Sequence, residues 1–261
     1  PAPTTTKSYS VSVIDNHAGH RQLTVPGPRP ARVRDRSSPR GVRRRYHSLS
    51  ESLPVDPDTV RDAWRERAGE YSPAYYAYRG PNETSAAVRE ALAARLDRDA
   101  AVLELGCGSG RHLRHLAAHG FEGLSGVDID PGAFETMRET YPDLAAAGTF
   151  HCGALADVLE EFDDGAFDAV YSVETLQHVP PEAESVFGEI ARITDAVLVT
   201  AEIEGPPAAE SASADPDVNF VDDDTPLYYR DWGEIFGSLG LTEVDVVRGD
   251  RDTTRTFRVA D

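Results

Sequence analysis

Lysine is nearly absent from this 261-residue sequence: Lys7 stands alone, and the other 25 cations are arginines. Cysteine is scarce as well, with only Cys107 and Cys152. Two thiols cannot build a disulfide framework, and their spacing is no zinc pattern. They are expected as reduced thiols in a reducing compartment. Long apolar runs are missing too. The stretch Ala196-Val-Leu-Val is strand-sized, far short of the ~20 apolar residues of a membrane span. The first residues show no apolar core of a secretory signal. Together these absences lead to the expectation of a soluble, cytoplasmic protein with no membrane partner. Cationic charge is also missing where the bulk of the chain lies. Residues 51–261 carry 16 Arg against 43 acids, a net −27, while residues 1–50 carry ten cations against Asp15 and Asp35, a net +8. An acidic body argues against nucleic acid as a partner, because phosphate contacts need clustered cations. Nor does it have any charge attraction to an anionic membrane. No HExxH, GxSxG or P-loop pattern occurs.

What is present divides into a tail and a patterned body. Residues 1–55 are rich in Pro, Ser, Thr and Arg, with scattered apolar residues, and are expected to be disordered. The cluster Arg40-Gly-Val-Arg-Arg-Arg45 suits a tether to an acidic partner or nucleic acid, a transit peptide, or simply a solvated tail. One domain is expected over 56–261. Asp56-Pro57-Asp58 opens a helix through Trp64, and Asn82 starts a second through Leu92 and Leu96. Between them lies the aromatic-basic stretch Tyr71 to Arg79. From residue 100 short apolar runs at 101–105, 124–127, 167–171 and 196–201 alternate with helical segments at 110–118, 131–140 and 181–193. A weaker strand is expected at 148–152. Such alternation predicts an α/β fold, a parallel sheet with helices on both faces. Residues 204–217 read as a loop. A helix at 229–239 and strands at 241–248 and 253–259, joined by a hairpin-like turn, close the chain.

The segment Ala101-Val-Leu-Glu104-Leu-Gly106-Cys-Gly108-Ser-Gly110-Arg111 carries the most information. An apolar strand runs into three alternating glycines and then a helix. Glycines let the chain turn sharply and let a ligand approach the backbone, and the helix start offers free N–H groups. A dinucleotide loop reads G-x-G-x-x-G; this one reads E-x-G-x-G-x-G. The early acid would repel a pyrophosphate but suits a cationic ligand. Asp128 ends the next strand, 22 residues after Gly106, and an acid about 20 residues on can accept ribose hydroxyls. Ile129 beside it could pack on an adenine face.

These residues resemble the class I methyltransferases that use S-adenosylmethionine (SAM). The likeness is carried by Val102-Leu-Glu-Leu-Gly-Cys-Gly-Ser-Gly110 and Gly126-Val-Asp-Ile-Asp-Pro131. It continues through Phe167-Asp-Ala-Val-Tyr-Ser172 and Leu176-Gln-His178-Val, and covers roughly 70–260. It implies a Rossmann-like doubly wound sheet, mostly parallel with an antiparallel last strand, and an N-terminal helical lid over 56–98. The implied cofactor is SAM. Gly106, Cys107, Gly108 and Gly110 would pass under its methionine part, and Glu104 would meet its cationic amino end. Asp128 would hold the ribose, and Ile129 would pack on the adenine. Where the family often has Gly-Asp after the third strand, this sequence has Gly153-Ala154. Backbone at Ala154 and Leu155 would have to read the adenine edge instead.

By the same resemblance Ser172, Val173 and Glu174 would line the sulfonium pocket, with Gln177 and His178 on the substrate side. His178 and Glu174 are the candidate catalytic groups; a supporting role in the loop is the alternative for His178. Arg79 is the candidate for the methionine carboxylate. Tyr76, Tyr228, Tyr229 and Arg230 are candidate substrate contacts, with packing as the alternative. His112, His115 and His119 have helical spacing, but a solvated face suits them better than a metal, and no metal site is expected. The expected function is methyl transfer from SAM to a small-molecule acceptor. A non-catalytic SAM-fold partner and a nicotinamide-dependent oxidoreductase are the rivals. The acid-rich, lysine-poor composition resembles proteins of salt-loving cells, in which high net charge maintains solubility.

Overall fold

A computed structural model describes residues 57–205, 218–222 and 225–260. The expected tail at 1–55, the Asp56 cap and most of the loop at 204–217 fall outside these residues.

Three helices precede the first strand: α1 (Pro57–Arg65), α2 (Pro73–Arg79) and α3 (Glu83–Ala93). Ser72 caps α2 through its hydroxyl, with Pro73 preset for the first turn. Asn82 and Ser85 form a reciprocal capping box at the start of α3. The alternating region then runs β1 (Ala101–Leu105), α4 (Arg111–Ala118), β2 (Gly123–Asp128), α5 (Pro131–Thr140), α6 (Pro142–Ala147), β3 (Thr149–Cys152) and α7 (Leu155–Leu159). It continues with β4 (Phe167–Val173), α8 (Ser185–Ile193) and β5 (Thr194–Glu202). A short ribbon follows, β6 (Val218–Asp222) and β7 (Thr225–Tyr228), and then α9 (Trp232–Ser238), β8 (Leu241–Arg248) and β9 (Thr253–Val259).

The main sheet has strand order β3-β2-β1-β4-β5-β9-β8. Strands β1 to β5 pair in parallel, and β9 inserts antiparallel between β5 and β8. This is the doubly wound α/β sheet with an antiparallel last strand. Its inner strands are apolar on both faces, as a sheet covered by helices requires. Val102, Tyr171 and Val199 face one core with Leu92 and Met137; Leu103, Leu198 and Phe257 face the other with Ile190 and Trp232. Strand order reverses between β1 and β4, so their carboxyl ends open a crevice where ligands bind in such sheets.

The ribbon β6–β7 and the helices α2, α6 and α7 have no counterpart in the sequence pattern. Pro226 sits within β7, and proline is compatible only with an edge position, which a two-stranded ribbon supplies.

Candidate functional site

The crevice holds a cavity of about 230 Å³ floored by the loop after β1. Gly106 takes φ of +65°, and a Cβ there would collide with the Thr175 side chain of the loop after β4. Gly108 takes φ of +52° and has no heavy atom within 4 Å of where its Cβ would stand, so its backbone faces open cavity. Asp128, at the end of β2, ties this loop down. Its Oδ2 accepts from the Gly108 N–H at 2.7 Å, and its Oδ1 from the Asp130 N–H at 2.9 Å. Each oxygen retains a second lone pair for a ligand hydroxyl. Burial raises the carboxyl of Asp128 above its ordinary range. Ile129, Ala154 and Leu155 line the same cavity, as do Cys107, Val173, Glu174 and His178.

Glu104, two residues before Gly106 in β1, is 1% exposed, and its Oε2 has no hydrogen-bond partner. Burial drives its pKa from the usual 4.5 up to about 8; the nearby Tyr171 and the Arg111 charge offset part of the rise. The Tyr171 hydroxyl makes no hydrogen bond of proper geometry, so the two groups are neighbours rather than a satisfied pair. A buried acid with a spare oxygen is the donor set for a cation.

The loop after β4 forms the opposite wall. Glu174 adopts φ of +48°, a left-handed conformation costly for a residue with a side chain. Its carboxylate lies 3.8 Å from Arg251 Nη2. The loop is anchored by Glu202 of β5, a fully buried acid that sequence inspection does not single out. Its carboxylate accepts from the Ser172 hydroxyl at 2.6 Å and from the N–H groups of Thr175, Leu176 and Gln177 at 3.2–3.3 Å. Burial outweighs these donors and raises its pKa to about 7. His178 donates from Nδ1 to the Pro226 carbonyl at 2.8 Å, and its Nε2 accepts from the Gln177 amide nitrogen at 3.4 Å. Gln177 is spent on structure, since its Oε1 accepts from the Ile203 N–H at 2.8 Å.

Helices α1 and α2 roof the cavity. Trp64 packs on His178 at 4.6 Å, and Arg67 stacks over Trp64 and donates to Thr225 Oγ1 at 2.9 Å. A second cavity of about 460 Å³ adjoins the first, sharing Trp64, Tyr71, Tyr76, Glu174 and His178 as a common wall. Gln177, Tyr229, Phe220 and Arg251 line its far side.

Several expected site residues stand elsewhere. Arg79 is exposed and stacked on Tyr75 at 4.6 Å, outside both cavities, because α2 turns it outward. Ser172 is fully buried under Glu202 rather than in a pocket wall. Arg230 is a brace: it donates to the Val179 carbonyl at 2.6 Å and to Glu184 at 3.0 Å, with its guanidinium over Tyr228, Phe187 and Trp232. Tyr228 is buried in that stack and lines neither cavity. Gly110 packs toward Met137 and Leu144 as the N-cap of α4. The three histidines of α4 and its C-cap do not converge: His112 is buried with Nδ1 2.7 Å from Ser85 Oγ, while the rings of His115 and His119 meet at 4.4 Å with a 47° tilt. Trp64, Arg111, Thr175 and Glu202 enter the site without a local sequence signal.

Comparisons with known proteins bear on the central segment and on the fold. Residues 102–196 match a family model described as a methyltransferase domain. The chain is 32% identical over 94 residues to 24-methylenesterol C-methyltransferase 2 of Arabidopsis thaliana, covering 35% of this chain and 25% of that protein. It is 34% identical over 96 residues to the chloroplastic tocopherol O-methyltransferase of Arabidopsis thaliana, covering 35% and 26%. The chain thus spans about a quarter of the length of the curated relatives it matches. Among solved structures it resembles magnesium protoporphyrin IX methyltransferase from Synechocystis PCC 6803 with bound SAH (S-adenosylhomocysteine), with a TM-score of 0.59 and 17% identity over 78% of this chain and all of that one. It also resembles the [4+2]-cyclase SpnF, with a TM-score of 0.52 and 19% identity over 70% of this chain and 63% of that one; such likeness shows the fold.

Fold, glycine loop and spaced acid define a doubly wound α/β protein with its cavity at the switch point of the sheet. Residues 102–196 carry the match to the methyltransferase-domain family model, and the fold agrees with that of solved methyltransferases.

Proposed function

We propose that the protein transfers the methyl group of SAM to a small-molecule acceptor. The carrying observation is the pair of adjoining cavities. The first combines a glycine-loop floor with the ribose-type acid Asp128, and the buried Glu104, with its partnerless oxygen, precedes that loop by two residues without lining the cavity. The second opens across Glu174, His178 and Tyr76. These residues fit the cofactor: Asp128 would hold the ribose, Ile129 and Leu155 the adenine, and Glu104 the ammonium end. When bound, SAM supplies an electrophilic methyl on a sulfonium sulfur.

The chain's own contribution is positioning more than covalent chemistry. The roof of Trp64 and Tyr76 excludes water from the shared wall. The strained Glu174 backbone, secured through its N–H to the Ala201 carbonyl at 2.9 Å, aims a carboxylate at the junction of the two rooms. Glu174 and His178 are the candidate groups for taking a proton from an acceptor hydroxyl, His178 only after its Nε2 exchanges the Gln177 amide for the acceptor. A carbon or amine nucleophile with a free electron pair would need neither. The second cavity is lined by the rings of Trp64, Tyr71, Tyr76, Phe220 and Tyr229 beside the polar Glu174, Asn219, Asp250 and Arg251, which favours a ring-bearing acceptor with polar substituents; the relatives named for sterols and tocopherol support a ring-bearing class. Free thiols at Cys107 and Cys152 suit a reducing compartment such as the cytoplasm.

Calorimetric titration with SAH, together with labelled-methyl transfer from SAM into a metabolite extract read by mass spectrometry, tests the proposal. SAH binding that Asp128→Ala weakens, with label entering a discrete small molecule, is the expected result. Binding without any transfer would make the protein a SAM-fold binder and not a catalyst.

A further inference from the structure

The cavity walls contain three arginines besides the acids: Arg61, Arg67 and Arg111. Arg61 is paired with Asp58 at 3.1 Å, and Arg67 is committed to Thr225 and Trp64. Arg111 is different. It follows the third glycine directly, as the first residue of α4, and its guanidinium lies 4.4 Å over the ring of Tyr76. It makes no ion pair with any described residue, although Glu104 and Glu174 both feel its charge.

A chain of hydrogen bonds orients it. Arg111 Nε donates to His112 Nε2 at 3.1 Å. The ring proton of His112 must then sit on Nδ1, which donates to Ser85 Oγ at 2.7 Å, and that hydroxyl donates to Asn82 Oδ1 at 3.0 Å. His112 is buried and held neutral, its pKa pushed well down by burial first and by the Arg111 charge second. With Nε anchored on His112, itself tied to Ser85 of α3, and the guanidinium over Tyr76, the two terminal nitrogens bond to no described residue in a side chain that lines the cavity. A planar fork of this kind matches a carboxylate, and a pre-oriented one loses little entropy on binding.

The charges around the glycine loop complete the pattern. An acid with a free oxygen, Glu104, precedes the loop, and a cation without a counter-ion, Arg111, follows it. An α-amino acid carries the opposite pair, an ammonium and a carboxylate. On the reading that the site binds SAM, we propose that Arg111, with Tyr76 as its platform and His112 as its anchor, receives the carboxylate of the cofactor's methionine end. This assigns to Arg111 the task that the family resemblance suggested for Arg79.

Two probes separate this role from a general effect on the cavity: SAH, which carries the carboxylate, and 5′-methylthioadenosine, which lacks the whole amino-acid end. By titration calorimetry, Arg111→Met should weaken SAH by ~10–100-fold, the worth of a charge-assisted fork. Methylthioadenosine should stay within about twofold of wild type, since it makes no such contact. Arg111→Lys should recover part of the SAH loss, and Arg79→Met should change neither probe. Unchanged SAH affinity in Arg111→Met, or equal losses for both probes in folded Arg111→Met and Arg111→Gln, would overturn the assignment. Wild-type protein that binds neither probe would overturn the methyltransferase reading and this inference with it.

Discussion

At the scale of single residues, the site is costly before any ligand arrives. Glu104 is buried without a full set of partners, and its pKa sits at about 8 instead of 4.5. Between those values the folded protein keeps a proton that the unfolded chain releases. Stability is therefore present in full below pH 4.5 and is lost as pH rises toward 8. Glu202, raised to about 7, acts in the same direction over a narrower window. Ligand-free protein should therefore lose thermal stability between pH 5 and 8, by on the order of 1 kcal/mol per pH unit for each such group. Glu104→Gln should flatten that slope and raise the melting temperature at pH 8 while weakening SAH; a slope unchanged by the substitution would refute the burial account. Asp128→Ala should weaken SAH by ~10–100-fold, because it removes the ribose acceptor and frees the Gly108 loop. Glu104 and Asp128 were legible from spacing alone, since the glycine loop fixes their distance along the chain. Arg79 and Arg111 were not distinguishable that way. Both are arginines flanking aromatic or glycine-rich segments, and only the turn of α2 shows which one faces inward.

At the scale of elements, the loop after β4 is a separately supported part. Ser172 and three successive N–H groups converge on one carboxylate from the neighbouring strand. Glu202→Ala would strand a buried hydroxyl and those amides, at a cost of about 3 kcal/mol. The melting temperature should fall by roughly 6–12 °C, with Glu202→Gln milder because it keeps one acceptor oxygen. A melt of Glu202→Ala within a degree or so of wild type would show that the loop holds itself. Gly106→Ala tests the facing loop. Its φ and the Thr175 side chain both oppose a methyl group, so the two loops should separate, with loss of SAH binding. Strands β1 to β5 and helices α4, α5 and α8 were readable because burial on both faces gives continuous apolar runs broken by caps and glycines. Glu202 was unreadable because it sits at the end of such a run, and its partners are 25 to 30 residues away. The ribbon β6–β7 was missed because its proline and acids mimic a loop.

At the scale of the whole molecule, the formal charge of −19 has no counterpart among the few acids at the site. Most acids are solvated, and their mutual repulsion should be screened by salt. Thermal stability should therefore rise by several degrees between 0.1 M and 2 M NaCl, as the Debye length shrinks from about 10 Å to 3 Å or less. A melt indifferent to salt would mean that the charge is already balanced locally. The basic stretch 1–50 lies apart from the cavities in sequence, and its deletion should leave SAH affinity within about twofold, as expected when no contact to the ligand is lost. The fold itself does not dictate the reaction, because one architecture hosts different chemistries, as the likeness to a cyclase illustrates.

The sequence by itself determined the doubly wound sheet, the glycine loop and the spacing of Glu104, Gly106 and Asp128. Those features rest on local periodicity and on a strand–turn–helix unit contained within about 30 residues. Only the tertiary structure decided which arginine lines the cavity, which acid holds the loop after β4, and that a second room adjoins the first. Each of these depends on side chains brought together from segments far apart in the chain, and no local pattern records where a helix will turn its faces.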